Sequence, residues 1–133
     1  MTKPVEKAML IDDSETDLFI HRRFLELCNF SKEVITYRSA ESALDWFKNL
    51  NGDAAPEIIF LDLNMPVVDG FSFLNQFNGL PEKIRSRSQI VVLTSSNSTT
   101  DREQVFLYKN VIKMITKPIK QTDIDALRLL AAE

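Results

Sequence analysis

Cysteine is almost missing from this 133-residue chain: Cys28 is the only one, so no intramolecular disulfide can form, as suits a reducing compartment. Long apolar runs are missing as well, and no stretch approaches the roughly 18 residues of a membrane span. The N-terminus, Met1-Thr2-Lys3-Pro4-Val5-Glu6-Lys7, has no apolar run behind its charges, which argues against a signal peptide. Nor is there a basic excess. Sixteen Lys and Arg against 19 Asp and Glu leave a net charge of −3, which gives no reason to expect nucleic-acid binding, usually marked by a basic patch or stripe. Internal repeats, low-complexity tracts and any sign of a second domain are equally lacking. What is there is an ordinary globular composition, 44% hydrophobic and 26% charged, in a chain long enough to close one core. The expectation is one soluble, intracellular domain over residues 1–133, without membrane insertion and without nucleic acid.

Short apolar runs alternate with stretches of helical period. Ala8-Met9-Leu10-Ile11, Val34-Ile35-Thr36-Tyr37, Ile58-Ile59-Phe60-Leu61, Ile90-Val91-Val92-Leu93 and Val111-Ile112-Lys113-Met114-Ile115 read as strands, apolar on both faces as covered parallel strands must be. Helix signals lie between them. Ser14-x-x-Asp17 reads as a capping box ahead of Leu18, Phe24, Leu25 and Cys28, and Ser39 precedes Ala40, Ala43, Leu44 and Phe47. Asp69-Gly70 leads into Phe73, Leu74 and Phe77. Thr99 or Thr100 opens a short helix through Val105 and Leu107, and Thr122-x-x-Asp125 precedes Leu127 and Leu130. Cys28, His21, Trp46 and Phe47 all fall within helical patterns. Cys28 reads as packing, His21 as an ordinary partly exposed side chain, and the two aromatics as packing or partner surface. Five βα units in series predict an α/β fold, a doubly wound parallel sheet with helices on both faces.

In such folds ligands sit beyond the carboxyl ends of the strands. Those ends carry Asp12-Asp13, Asp62 with Leu63-Asn64-Met65-Pro66-Val67-Val68-Asp69-Gly70, Thr94-Ser95, and Thr116-Lys117-Pro118. At an effective dielectric of about 20, two unit charges roughly 4 Å apart interact by about 4 kcal/mol. Three crowded carboxylates therefore need more positive charge than Lys117 supplies. Mg²⁺ favours such a set of carboxylates, waters and phosphate oxygens. A carboxylate can serve as nucleophile to give an aspartyl phosphate, with Lys117, the Thr94 hydroxyl and the metal meeting the phosphoryl oxygens.

With these residues in view, the chain resembles the response-regulator receiver family. The matching pieces are Ile11-Asp12-Asp13, Phe60-Leu61-Asp62-Leu63-Asn64-Met65-Pro66-x-x-Asp69-Gly70, Val92-Leu93-Thr94-Ser95 and Thr116-Lys117-Pro118-Ile119, in the family's order from Lys7 onward. The resemblance implies a flavodoxin-like (βα)5 fold with strand order 2-1-3-4-5, similar to single-domain chemotaxis regulators. It implies that Asp62 is the phosphoacceptor and that Asp13 ligates Mg²⁺ directly. Asp12 would do so largely through water, Asp62 would share the metal, and Asn64 would offer its backbone carbonyl. Lys117 would pair with the phosphoryl group and Thr94 would move to hydrogen-bond it. It also implies a cis Lys117–Pro118 peptide, and a Gly70 chosen for permissive torsions. The resemblance further implies that the phosphate's lifetime is tuned partly by the residues at Asn64 and Ser96. The implied partners are a sensor histidine kinase or histidine phosphotransfer protein and a downstream target protein. The setting would be the bacterial cytoplasm, and the state a monomer or a phosphorylation-dependent homodimer. Because the chain stops after its fifth predicted helix, output is expected through protein contact rather than an attached effector domain.

Two positions depart from the family pattern. Met114 stands where an aromatic usually partners the switch threonine, which leaves the readout open, with Tyr108 nearby in sequence as a substitute. Lys109-Asn110 replaces a common glycine-alanine pair, and asparagine tolerates the left-handed conformation of many helix ends. Three alternatives stand beside the receiver reading. A haloacid-dehalogenase-type phosphatase needs a second Asp where Asn64 stands and its acidic pair late in the chain. An FMN carrier needs a hydroxyl- and glycine-rich first loop, where Asp12-Asp13-Ser14-Glu15 would repel phosphate. A receiver fold serving only as an interaction module has no need for the complete acidic set.

Overall fold

The computed structural model describes residues 5–50, 54–65, 69–95 and 99–131. Ser96, and the Pro66, Val67 and Val68 of the Asp62 segment, lie outside the described residues. Five strands, β1 (Val5–Ile11), β2 (Ser31–Tyr37), β3 (Ile58–Asp62), β4 (Gln89–Thr94) and β5 (Val111–Thr116), form one sheet in the order β2-β1-β3-β4-β5. Every pairing is parallel. The helices are α1 (Glu15–Leu27), α2 (Ala40–Lys48), α3 (Gly70–Asn78), α4 (Glu82–Arg85), α5 (Thr99–Val105) and α6 (Gln121–Ala131).

Side chains alternate across the sheet, so each central strand feeds two cores. Met9, Ile11, Ile59, Leu61, Ile90 and Val92 pack with Phe47 of α2, Phe73 and Phe77 of α3, Ile84 of α4 and Val105 of α5. Ala8, Leu10, Ile58, Phe60, Val91 and Leu93 pack with Leu18 and Leu25 of α1 and Ile124 and Leu127 of α6. Phe47 meets Phe77 edge-on at 5.5 Å, while the less buried Trp46 lies against Tyr37 and Phe47. The predicted strands are therefore all present, and β1 and β2 also extend N-terminally through residues that, apart from the buried Ser31, stay at least partly exposed.

Several local expectations are corrected. Helix α4 was not expected: at four residues it is too short to show a period, and it follows Pro81 as N-cap. Ser14 caps α1 by accepting the Asp17 N–H, but the reciprocal half of the box is missing, because the Ser14 N–H goes to Asp12 Oδ1 at 2.9 Å. At α6 the cap lies two residues earlier than the sequence suggests, with the Lys120 N–H donating to Asp123 Oδ2. Cys28 is not a helix packing residue. It is the half-buried C-cap of α1, its Sγ 3.4 Å from Gln121 Oε1 and its carbonyl accepting from Arg128.

The left-handed residue is Asn29 (φ 53°) rather than Asn110, and among the described residues it is the one non-glycine with positive φ. Asn29 N–H bonds Glu26 O and Phe30 N–H bonds Leu25 O, the double-bonded Schellman ending, with Phe30 and Leu25 sharing a core. Asn110 instead donates its side-chain amide to Arg85 O and Ser88 O, both at 2.8 Å. Gly70 has no positive φ; its role is close approach, since a Cβ there would lie 2.7 Å from Leu63 Cα and 3.1 Å from Asp62 O.

Candidate functional site

Because all the strands run the same way, the tips of β1, β3, β4 and β5 end on one edge, and the residues just past them meet there. Asp12 follows β1 and is buried; its Oδ1 accepts from Ser14 N–H and its Oδ2 from Lys117 Nζ at 2.9 Å. Asp13, next in the chain, is exposed and lines an open cleft with Asn64, Met65 and Asp69. Asp62 ends β3, is 3% exposed, and its Oδ1 accepts the Asn64 N–H at 3.3 Å. Oxygens of Asp12, Asp13 and Asp62 lie within 4.8 Å of one another. Thr94, 1% exposed, ends β4 opposite Thr116, and its carbonyl accepts the Lys117 N–H at 2.8 Å. The Lys117–Pro118 peptide is cis.

Lys117 is the cation of the cluster. Its Nζ stands 2.9 Å from Asp12 Oδ2, 2.9 Å from Asp17 Oδ2 and 3.4 Å from Asp62 Oδ1. Burial alone would lower the Lys117 pKa, but its hydrogen bonds to Asp12 and Asp17, with attraction from Asp62, hold it above the usual lysine range. The Asp62 pKa is raised as well, but there burial drives the shift instead of opposing it. Burial, then repulsion from Asp12, push its carboxyl up to about 6, against the partial relief from Lys117 and the Asn64 N–H. The cluster thus holds more negative charge than one lysine neutralises. Its hard oxygen donors, two of them buried, fit a small divalent cation.

Each site residue expected from the sequence lies at this edge: Asp12, Asp13, Asp62, Asn64, Thr94 and Lys117. Two more were missed. Asp17, which the sequence suggests only as half of a capping box, is an ion-pair partner of Lys117. His21 is buried rather than partly exposed, and its Nε2 accepts the Ile119 N–H at 3.4 Å, one residue beyond the cis-proline. Burial holds the His21 pKa below its ordinary value, with Asp17 opposing that shift and Lys117 reinforcing it. The spacing Asp17-x-x-x-His21, one helical turn, was the available signal for a shared face. Met114 and Tyr108 both pack against the α2–α3 side of the sheet, and the Tyr108 hydroxyl donates to Asn75 Oδ1 of α3 at 2.9 Å.

The profile of the response regulator receiver domain matches residues 8–128. A probable methanogenesis regulatory protein, FilR2, of Methanothrix harundinacea is 28% identical over 87% of this chain and 74% of its own length. The sensor histidine kinase CheAY of Helicobacter pylori is 32% identical over 83% of this chain, which spans only 13% of that protein. Among solved structures, a response regulator receiver protein from Dyadobacter fermentans superposes with a TM-score of 0.84 at 30% identity, covering 94% of each chain. No helix among the described residues is long and apolar enough to cross a membrane.

Proposed function

The chain belongs to the response regulator receiver domain family, and from that premise we propose that Asp62 accepts a phosphoryl group in a magnesium-dependent reaction, the modified domain then signalling by protein contact. The observation that carries this reading is the convergence of three carboxylates and one ammonium on a single sheet edge, with the Asp62 carboxylate 3.4 Å from Lys117. At neutral pH a carboxyl titrating near 6 is mostly ionised, so Asp62 is available as a nucleophile. One of its oxygens attacks phosphorus, the O–P bond forms as the P–N bond to a donor imidazole breaks, and the leaving nitrogen takes up a proton. Lys117 and the Thr94 hydroxyl are the donors for the phosphoryl oxygens. Asp12, Asp13 and Asp62, with the Asn64 carbonyl, are the residues that would hold Mg²⁺, which supplies charge neutralisation when bound.

The donor class that fits is a phosphohistidine, on a sensor kinase or a phosphotransfer protein. In this reading the chain is a signalling receiver whose only chemistry is its own phosphorylation and dephosphorylation. It acts from the cytoplasm, as a monomer or a phosphorylation-dependent homodimer, on a protein target rather than a nucleic acid. Intact mass after incubation with phosphoramidate or acetyl phosphate tests it. A single phosphoryl adduct is expected on the wild type with magnesium, and none with chelator or in Asp62→Asn. A wild type that takes no adduct under any condition would leave a receiver fold used only for interaction.

A further inference from the structure

Lys117 has three ammonium protons and three acceptors, but the acceptors are not equivalent. Asp12 and Asp62 belong to the acidic group that fits a cation, whereas Asp17 lies outside that group. Asp17 sits in the first turn of α1, where its own backbone N–H is fixed on the Ser14 cap. Its carboxylate reaches Lys117 at 2.9 Å. One turn further along the helix, His21 takes the backbone N–H of Ile119. Helix α1 therefore grips the loop between β5 and α6 at two points, the Lys117 side chain and the backbone two residues on.

We infer that Asp17 is a positioning residue for Lys117: it is the counter-charge that stays with the ammonium when Asp12 and Asp62 turn to the metal and the incoming phosphoryl group. The inference rests on the receiver reading above. In that reaction Asp12 and Asp62 are drawn to other partners, and a lysine held by them alone would be released to solvent on a long, flexible stem. With one proton on Asp17, the other two remain directed at the site. Asp17 keeps about a third of its side chain exposed, so its carboxylate holds Lys117 without the full desolvation cost of a buried ion pair. His21 fixes the loop backbone, so that Lys117 pivots within reach of Asp62 rather than travelling with a moving loop.

The test uses the full chain with saturating magnesium and phosphoramidate, following the adduct by intact mass in wild type, Asp17→Asn and Asp17→Glu. A second readout is brief labelling with acetic anhydride, with peptide mapping to compare Lys117 against the exposed Lys32. Loss of one charge-assisted contact should slow phosphoryl uptake about tenfold in Asp17→Asn. Restoring the charge in Asp17→Glu should bring back most of the rate. Lys117 labelling should rise relative to Lys32 only in Asp17→Asn. Uptake at the wild-type rate in Asp17→Asn overturns the inference, as does an equal slowing in Asp17→Glu, which would mark a merely structural residue. A wild type that takes no adduct at all defeats the receiver reading and this inference with it. An adduct on wild type with an indifferent Asp17→Asn defeats only the inference.

Discussion

Asp62 carries opposing demands. As a nucleophile it must be ionised, yet burial and the neighbouring Asp12 favour its protonated form and raise its pKa to about 6. Between the ordinary aspartate value of about 3.9 and that raised value, the folded protein holds a proton that the unfolded chain has lost. Stability therefore falls as pH rises through that window, and the loss persists above it. Asp62→Asn removes the charge while keeping the shape. In chelator it should be more stable than wild type at pH 7 by about 1–3 kcal/mol. The gap should open between about pH 4 and 6 and stay flat above, as followed by urea midpoints. A gap that ignores pH would mean that Asp62 is not strained by its surroundings. The sequence shows an Asp closing the apolar run Ile58–Leu61, as Asp12 closes Ala8–Ile11, and the family resemblance of the Asp62 segment is what marks Asp62 as the candidate nucleophile. Its raised pKa is not legible there, since that depends on burial in the folded chain and then on Asp12, which follows another strand.

At the scale of elements, Leu63 and Gly70 bring the end of β3 and the start of α3 into contact beside the site. Gly70 N–H bonds Leu63 O, and Asp69 caps α3 by accepting the Ser72 N–H. Gly70→Ala would place a methyl 2.7 Å from Leu63 Cα and 3.1 Å from Asp62 O, against backbone rather than a side chain that can swing away. Better helix propensity recovers less than about 1 kcal/mol. Overpacking of this kind costs about 1–3 kcal/mol, so a net loss of stability is expected in urea unfolding. Because the displaced backbone carries Asp62, phosphoryl uptake should fall as well. A variant as stable as wild type would show that the loop yields freely. Gly70 was correctly singled out in the sequence, but for its torsions; the actual reason, two segments in contact, exists only once the chain has folded back. The Asn29 and Asn110 pair teaches the same point. Both asparagines follow helical patterns, and only the packed structure assigns the left-handed ending to one and the carbonyl-bridging amide to the other.

At the scale of the whole molecule, a sheet with a helical layer on each face gathers four loops at one edge and leaves them a charge deficit. A cation that binds this edge in the folded state alone stabilises the fold by mass action, about 2.7 kcal/mol at a hundredfold excess over Kd. For a chain of this size that corresponds to a Tm rise of roughly 10 °C with magnesium. Asp13→Asn should abolish most of the rise while leaving the metal-free Tm nearly unchanged, because Asp13 is exposed and its loss opens no cavity. Scanning calorimetry with magnesium and with chelator checks this. An undiminished rise in Asp13→Asn would remove Asp13 from the ligand set.

The sequence by itself determined the class of fold, the sites of the five strands, and the carboxylates, threonine and lysine at their tips. Periodicity and residue chemistry are local properties, and a parallel α/β sheet has one edge at which strand ends can meet. Tertiary structure alone decided which carboxylates share Lys117, that His21 is buried against Ile119, and that Cys28 caps a helix beside Gln121. These are contacts between segments far apart in the chain. Their existence depends on helix α1 lying beside the loop after β5, a juxtaposition that no pattern within either segment records.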